Sequence, residues 1–355
     1  MDNQPKYKQV KDLILENIRE NIFPDGSFLP PENELMKKFS VSRNTIRTAL
    51  KQLRDEGIII TRQGQQSQVD ASKVINGGPR RKLAWLDVGY VGNEDVYFEI
   101  FKHLSYCAEN ENMSLDYINF QFGASIENFI RNSSSYEGIV ITGRINERNI
   151  DRKTLETLSS LDNIVSIDKV SGMPSGLTIG TDNYMGAKMA VEHLAAAGRK
   201  QIAFLGISNG FYVYSPFSER LKGYKDTLAE NKLCDDPGLI VISAEISDSY
   251  DVRPQLMKIL KKHPDVDAFF AITDFIAVQT LYALKGMDIK VPFDISVIGF
   301  DGLPLGETVS PRLTSISHPF AEIAETVVKK IMDGTVSSSK KYIPVKPYLV
   351  SRESV

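Results

Sequence analysis

From about residue 82 onward, short β-rich runs alternate with stretches of helical period, and this alternation leaves few folds open. The candidate strands are 83–88, 115–120, 138–142, 164–167, 201–205, 239–242, 268–272 and 296–299. The candidate helices between them include 94–111, 149–161, 184–197, 217–231, 252–262 and 275–286. Strand, helix and strand in repeated succession bring each strand back parallel to the last. The expected class is therefore α/β, with parallel, doubly wound sheets. In such sheets ligands bind outside the carboxyl ends of the strands.

The first seventy residues follow another pattern. Tyr7, Val10, Leu13, Ile14 and Ile18 recur at helical spacing, so 6–21 reads as an amphipathic helix that Pro24, Asp25 and Gly26 break. A short helix is expected from the Pro30-Pro31 pair to about Lys38, with Glu32 and Glu34 in its first turn. Ser42 suits the N-cap of a third helix. On that helix Ile46, Ala49, Leu50 and Leu53 share one side, and Arg43, Asn44, Arg47, Lys51 and Arg54 share the other. Six Lys or Arg and no Asp or Glu lie between Met36 and Arg54, which gives one face to pack and one basic face to present. The formal charge of the whole chain is −3, so any nucleic-acid surface must come from such local clustering. Two short strands around 58–61 and ending near Val69 complete a hairpin, and three helices plus a hairpin make a winged helix-turn-helix.

These residues resemble a known family. Leu29-Pro30-x-Glu32-x-Glu34-Leu35, then Phe39-x-Val41-Ser42-Arg43-x-Thr45-Ile46-Arg47-x-Ala49-Leu50-x-x-Leu53-x-x-Glu56-Gly57, is similar to the GntR-type DNA-binding domain. Two departures stand out: Pro31 replaces a frequent Ser, and the wing reads Gly64-Gln65-Gln66-Ser67-Gln68-Val69 where Gly-x-Gly-Thr-Phe-Val is usual. The resemblance implies that Arg43, Asn44, Thr45 and Arg47 reach the major groove or its phosphates. Asn33 would lie nearby and Gln63-Gly64 at the wing tip. Arginine can grip guanine O6 and N7 together. Lys37, Lys38, Lys51 and Arg54 suit phosphates.

Gly77, Gly78 and Pro79 mark a linker over 71–82 between a reader at 1–70 and a second region at 83–355. In the second region, Thr181-Asp182-Asn183-x-x-Gly186-Ala187, Glu219-Arg220-x-x-Gly223-Tyr224, Phe270-Ala271-x-x-Asp274-x-x-Ala277 and Val291-Pro292-x-Asp294-Ile295-Ser296-Val297-Ile298-Gly299-Phe300-Asp301 resemble the sensor of LacI/GalR-type repressors. The resemblance implies a periplasmic-binding-protein-like fold of two lobes with the ligand in the cleft. Lobe one is expected at about 83–178 and 309–335, and lobe two at about 179–305 and 340–350. By positional match Asp168, Arg220, Thr273, Asp274, Asp301, His318 and Phe320 occupy the family's ligand positions. Carboxylates that accept hydroxyls, an arginine that donates, and an aromatic ring suit a sugar. Tyr90, Tyr97, Phe211, Tyr212 and Phe275 are further candidates for stacking. The family commonly has Asn in place of Thr273 and Gln in place of His318. Asp274 alternatively caps the helix that follows it.

No HExxH, GxxxxGK[ST] or CxxC is present, and no enzyme, metal or cofactor is expected. Cys107 and Cys234 are read as buried thiols. The opening MDNQPKYKQV has no apolar signal core and no apolar run is long enough to span a bilayer, which points to the cytoplasm and away from membranes. The expectation is a dimeric repressor of carbohydrate-utilisation genes, bound to operator DNA and controlled by a sugar. The two-part arrangement resembles that of bacterial arabinose repressors, which makes L-arabinose the leading effector. A purine-like effector and a plain small-molecule binding protein are the alternatives. Release of DNA by the effector and promotion of binding by it both remain open.

Overall fold

The computed structural model describes residues 5–19, 22–61, 66–70, 81–87, 94–119, 126–142, 156–158, 160–168, 176–207, 216–243, 251–337 and 342–355. The chain forms two compact units, Met1–Arg81 and Lys82–Val355.

In the first unit, α1 (Lys6–Arg19), α2 (Glu32–Phe39) and α3 (Arg43–Asp55) pack around Val10, Ile14, Leu35, Ile46, Ala49 and Leu53. Pro31 stands at the N-cap of α2, one position before the helix begins. Ser40 adopts the left-handed conformation at its C-cap, which lets the chain turn sharply into α3. Ser42 caps α3 by accepting a hydrogen bond from Thr45 N–H at 3.3 Å. Strands β1 (Ile59–Ile60) and β2 (Gln68–Val69) pair antiparallel, Ile59 opposite Val69. The wing tip with Gln63 and Gly64, the 71–80 part of the linker, and Tyr90, Phe211 and Tyr212 lie outside the described residues.

Among the described residues the second unit holds two six-stranded sheets. Lobe one orders its strands β13-β7-β6-β5-β3-β4. These are β3 (Arg81–Asp87), β4 (Met113–Asn119), β5 (Gly138–Thr142), β6 (Ile164–Ile167), β7 (Leu177–Thr181) and β13 (Tyr342–Val345). Helices α4 (Glu94–Asn110) and α10 (Phe320–Met332) cover the face that carries Leu83, Trp85, Val140 and Val165; α5 (Ile126–Asn132) lies with Ala84, Leu86, Ile139 and Ile141. Lobe two orders its strands β14-β12-β11-β10-β8-β9. These are β8 (Ile202–Ile207), β9 (Ile240–Ser243), β10 (Ala268–Ala271), β11 (Ser296–Asp301), β12 (Thr314–Ser317) and β14 (Tyr348–Val350). Its helices are α6 (Asn183–Ala196), α7 (Pro216–Glu230), α8 (Arg253–Lys262) and α9 (Asp274–Gly286). Strands β9, β8, β10, β11 and β12 run parallel, and only β14 is antiparallel to its neighbour.

The parallel α/β class is as expected, but the lobe boundaries need correction. Residues 314–317 belong to lobe two, because β12 pairs with β11. Lobe one runs to Thr181, the end of β7, and Tyr342–Val345 returns to lobe one beside β7. Tyr348–Val350 adds to lobe two, and Ser354 beyond it hydrogen-bonds Val297 and Thr314 there. The chain therefore crosses between lobes at 181–183, 317–320 and 345–348. Most of the expected helix 149–161 falls outside the described residues.

Candidate functional site

The first unit presents its basic face as an organised surface. Arg43, Asn44, Arg47 and Lys51 on α3 are exposed, with Ile46, Ala49, Leu50 and Leu53 buried on the opposite side. Arg43 Nη2 donates to Asn33 Oδ1 at 2.9 Å. Arg47 Nε donates to both Glu32 carboxylate oxygens, at 3.2 and 3.1 Å. The start of α2 thus steers Arg43 and Arg47 of α3. Lys37 is exposed. Lys38 is exposed as well, but its ammonium lies 4.7 Å from the Phe23 ring centroid and 3.4 Å from Asn17 Oδ1, so it is engaged towards α1. Thr45 is half-buried and its hydroxyl meets the capping Ser42 hydroxyl at 2.8 Å, which gives it a helix-starting task. Sequence reasoning missed Glu32 as a partner of Arg47; an acidic residue beside a basic face was the available signal.

In the second unit, a buried polar cluster gathers where strands of both lobes end. Asp168 follows β6, Thr273 follows β10, Asp301 ends β11, and His318 follows β12. Arg220 reaches in from α7 and is only 1% exposed. Its Nε donates to Asn183 Oδ1 at 2.8 Å, and its Nη1 to Ile272 O at 2.5 Å and Asp301 Oδ1 at 3.1 Å. The Phe300 ring lies 3.6 Å from the guanidinium carbon, an arrangement suited to cation–π attraction. His318 Nε2 stands 3.2 Å from Asp301 Oδ1, and its Nδ1 stands 2.6 Å from Thr181 Oγ1. A carboxylate only accepts, so Nε2 carries the proton and Nδ1 accepts from the Thr181 hydroxyl. Arg220 Nη2, 3.4 Å from the same Nε2, then faces another donor and keeps an N–H free for a further oxygen.

Burial pushes the Asp168 carboxyl above its ordinary range; the neighbouring His318 and Arg220 pull it down, and the charge of Glu219 adds to the rise. Burial likewise lowers the Arg220 guanidinium, with Asp301 as the main opposing charge. The Phe320 ring is buried 5.6 Å from the His318 ring. Thr273 caps α9, accepting from Ile276 N–H at 3.4 Å. Asp274 is fully buried, but its carboxylate faces the turn after β11 and accepts Leu303 N–H at 2.7 Å. The seven expected residues therefore converge, with Asp274 in a supporting position. Thr181 and Asn183 are further buried members of the cluster, which the sequence pattern does not single out as site residues. Two polar residues on either side of a capping Asp182, at the end of a strand, were the signal. Cys107 and Cys234 are half-buried and unbridged.

Comparison with known proteins places both units. Residues 6–69 match the family of bacterial regulatory proteins of the gntR type, and residues 191–355 match the periplasmic binding protein-like domain. The chain thus joins a segment similar to gntR-type regulatory proteins to a segment similar to the periplasmic binding protein-like domain. The ribose operon repressor of Halalkalibacterium halodurans is 30% identical over 182 residues, covering 50% of this chain and 51% of its own length. The chain thus spans about half the length of that relative. The arabinose metabolism transcriptional repressor of the same organism is 24% identical over 347 residues, covering 93% of this chain and 89% of its own. In that relative the likeness runs through both units. The solved complex of the transcriptional regulator CelR with cellobiose superposes with a TM-score of 0.62 at 20% identity, covering 89% of this chain and 92% of that one. This likeness shows the fold alone, with its two lobes. Among the described residues, no helix is long and apolar enough to cross a membrane.

Proposed function

We propose that this chain is a sequence-specific transcriptional regulator, a repressor of carbohydrate-utilisation genes whose hold on DNA is controlled by a sugar in the sensor. The observation that carries the reading is the buried Arg220–Asp301 pair at the strand ends, 3.1 Å apart. It puts a donor and an acceptor for hydroxyl groups side by side where ligands of such sheets bind. Arg220 donates through Nη2, Asp301 and Asp168 accept hydroxyls, His318 and Thr273 lie around them, and Phe320 offers a ring to an apolar sugar face. Two named relatives are sugar-operon repressors, and one of them matches along nearly the whole chain. L-arabinose is therefore the first effector to test.

On the reader, Arg43 and Arg47 contact bases, Asn33 and Glu32 hold them in direction, and Asn44, Lys37 and Lys51 line the DNA; Lys38 and Thr45 support the surface from the sides. Gln63 and Gly64 belong to the wing. A homodimer places two readers on a palindromic operator. The sugar shifts the lobe arrangement only by its differential affinity for two states, a coupling of about 1–3 kcal/mol. The role is one of binding, not catalysis, requires no cofactor, and is carried out in the cytoplasm, where the DNA is.

The test is retention of an operator fragment with and without a panel of pentoses, hexoses and nucleobases. Release by L-arabinose supports the full reading. Release by nucleobases alone moves the effector out of the carbohydrate class, and indifference to duplex DNA at low salt removes the regulator reading.

A further inference from the structure

Asp274 makes none of the contacts just given to the sugar, yet it is the most enclosed carboxylate of the cluster, with no exposed surface. It opens α9 and turns its side chain towards the residues that follow β11. One oxygen accepts Leu303 N–H at 2.7 Å, and the other accepts the Ser315 hydroxyl. Ser315 Oγ in turn accepts Gly302 N–H at 3.2 Å. Asp274 and Ser315 together clamp both backbone N–H groups of the turn.

That turn needs a clamp. Asp301 has φ +132°, a conformation side-chain-bearing residues rarely hold, and Gly302 has φ +72°. Such backbone persists only when its surroundings over-determine it. A methyl group at Gly302 would fall on Ser317, and one at Gly299 would fall on Asp274 Oδ1, so both glycines allow the close fit.

We infer that Asp274 is a positioning residue: by holding the 301–303 turn it aims the Asp301 carboxylate at Arg220 and sets the sensor's affinity without touching the sugar. The inference rests on the reading that Arg220 and Asp301 hold the effector. An independent fact supports it. Burial, and next the Asp301 charge, push the Asp274 carboxyl up to about 7, so its charged form is held at a cost to stability. The titratable or charged groups around it are Asp301 on β11, Arg220 on α7 and His318 at the lobe crossing, with Asp168 beyond them on lobe one. A residue kept only to strengthen the fold would not carry such a penalty.

The test uses the full chain with Asp274→Ala, Asp274→Asn and Asp301→Asn, L-arabinose as titrant, and a crystal structure of Asp274→Ala as an arm that needs no sugar. Asp274→Ala is expected to weaken L-arabinose about tenfold or more and to move Asp301 Oδ1 out of hydrogen-bond distance of Arg220. Asp274→Asn, which keeps one acceptor, is expected to lose less and to flatten the pH dependence of binding near 7; it carries both arms if the Ala variant does not fold. A wild-type 301–303 turn in the variant crystal overturns the inference, whatever L-arabinose does. So does unchanged L-arabinose affinity in a chain whose Asp301→Asn variant binds more weakly. If Asp301→Asn binds L-arabinose as the wild type does, the effector-site reading fails instead, and the crystal arm still decides what Asp274 does.

Discussion

Arg47 and Glu32, fifteen residues apart, meet across the junction of α2 and α3, with the arginine Nε–H shared between both carboxylate oxygens. The arginine side chain is 62% exposed, so the pair adds little to stability. Its effect is directional: Glu32 holds Nε, which leaves the two outer nitrogens to meet DNA. Glu32→Ala should leave the melting of the reader within about 1 kcal/mol of wild type. It should raise affinity for unrelated duplex, since a negative charge is gone, and lower the operator-to-nonoperator ratio several-fold. Competition binding over a range of salt measures this, and an unchanged ratio would show that Glu32 has no part in reading.

Arg47 itself sits on the exposed side of α3, opposite the buried Ile46, Ala49, Leu50 and Leu53. Its removal takes away no core contact. Arg47→Ala should weaken operator binding by about 1–3 kcal/mol, roughly fivefold to 150-fold. The thermal shift produced by sugar should survive intact. Gel retardation and calorimetric melting of the same preparation check both parts. Loss of the two together would mean that reading and sensing are not divided as proposed.

The basic and apolar faces of α3 could be read from spacing alone, because a helix buries residues three and four apart and Ile46, Ala49, Leu50 and Leu53 recur at that interval with Arg43, Arg47, Lys51 and Arg54 on the other side. The parallel strands of both lobes were visible for the same kind of reason: β3, β5, β6, β8, β10 and β11 are rich in apolar residues over four or more positions. Strand β12 was not, since Thr314, Ser315 and Ser317 give it a polar composition although all three are buried. Their hydroxyls are spent on hydrogen bonds, Ser315 on Asp274 and Thr314 on Arg352 N–H. Strand β13 pairs with β7 some 160 residues away, a register that no local pattern encodes. The ligand-site residues came from likeness to a family. That likeness located Asp274 in the cluster but not the direction of its carboxylate, which depends on a turn with positive φ.

Thr181 and His318 connect two lobe crossings through one short hydrogen bond, 2.6 Å between Oγ1 and Nδ1. Both side chains are buried, and Tyr342 OH also donates to Thr181 O at 2.6 Å. Thr181→Val keeps the shape and removes the hydroxyl, so His318 Nδ1 loses its donor. The unpaired buried nitrogen should cost about 1–3 kcal/mol. Denaturant unfolding of the sensor measures it, and Thr181→Ser, which keeps the hydroxyl, should recover most of the loss. A Val variant as stable as wild type would mean that the hydrogen bond contributes nothing net.

The Asp274 carboxyl gives the sensor a stability that depends on pH in an unusual direction. Its value rises from 3.8 in the unfolded chain to about 7 in the folded one, and burial moves Asp168 the same way. The folded state therefore holds protons that the unfolded state has released. That contribution is fully present below the ordinary carboxylate value and is lost as pH rises through about 7. The sensor should accordingly melt at a lower temperature at pH 8 than at pH 6, with the fall steepest below 7 and levelling off above it. Asp274→Asn, which cannot ionise, should flatten that part of the curve and melt above the wild type on the alkaline side, while binding its sugar less well. Melting followed by circular dichroism at a series of pH values decides the matter. A wild-type curve that rises from pH 6 to pH 8, or an Asn variant that follows it unchanged, would place the dominant titration on other groups.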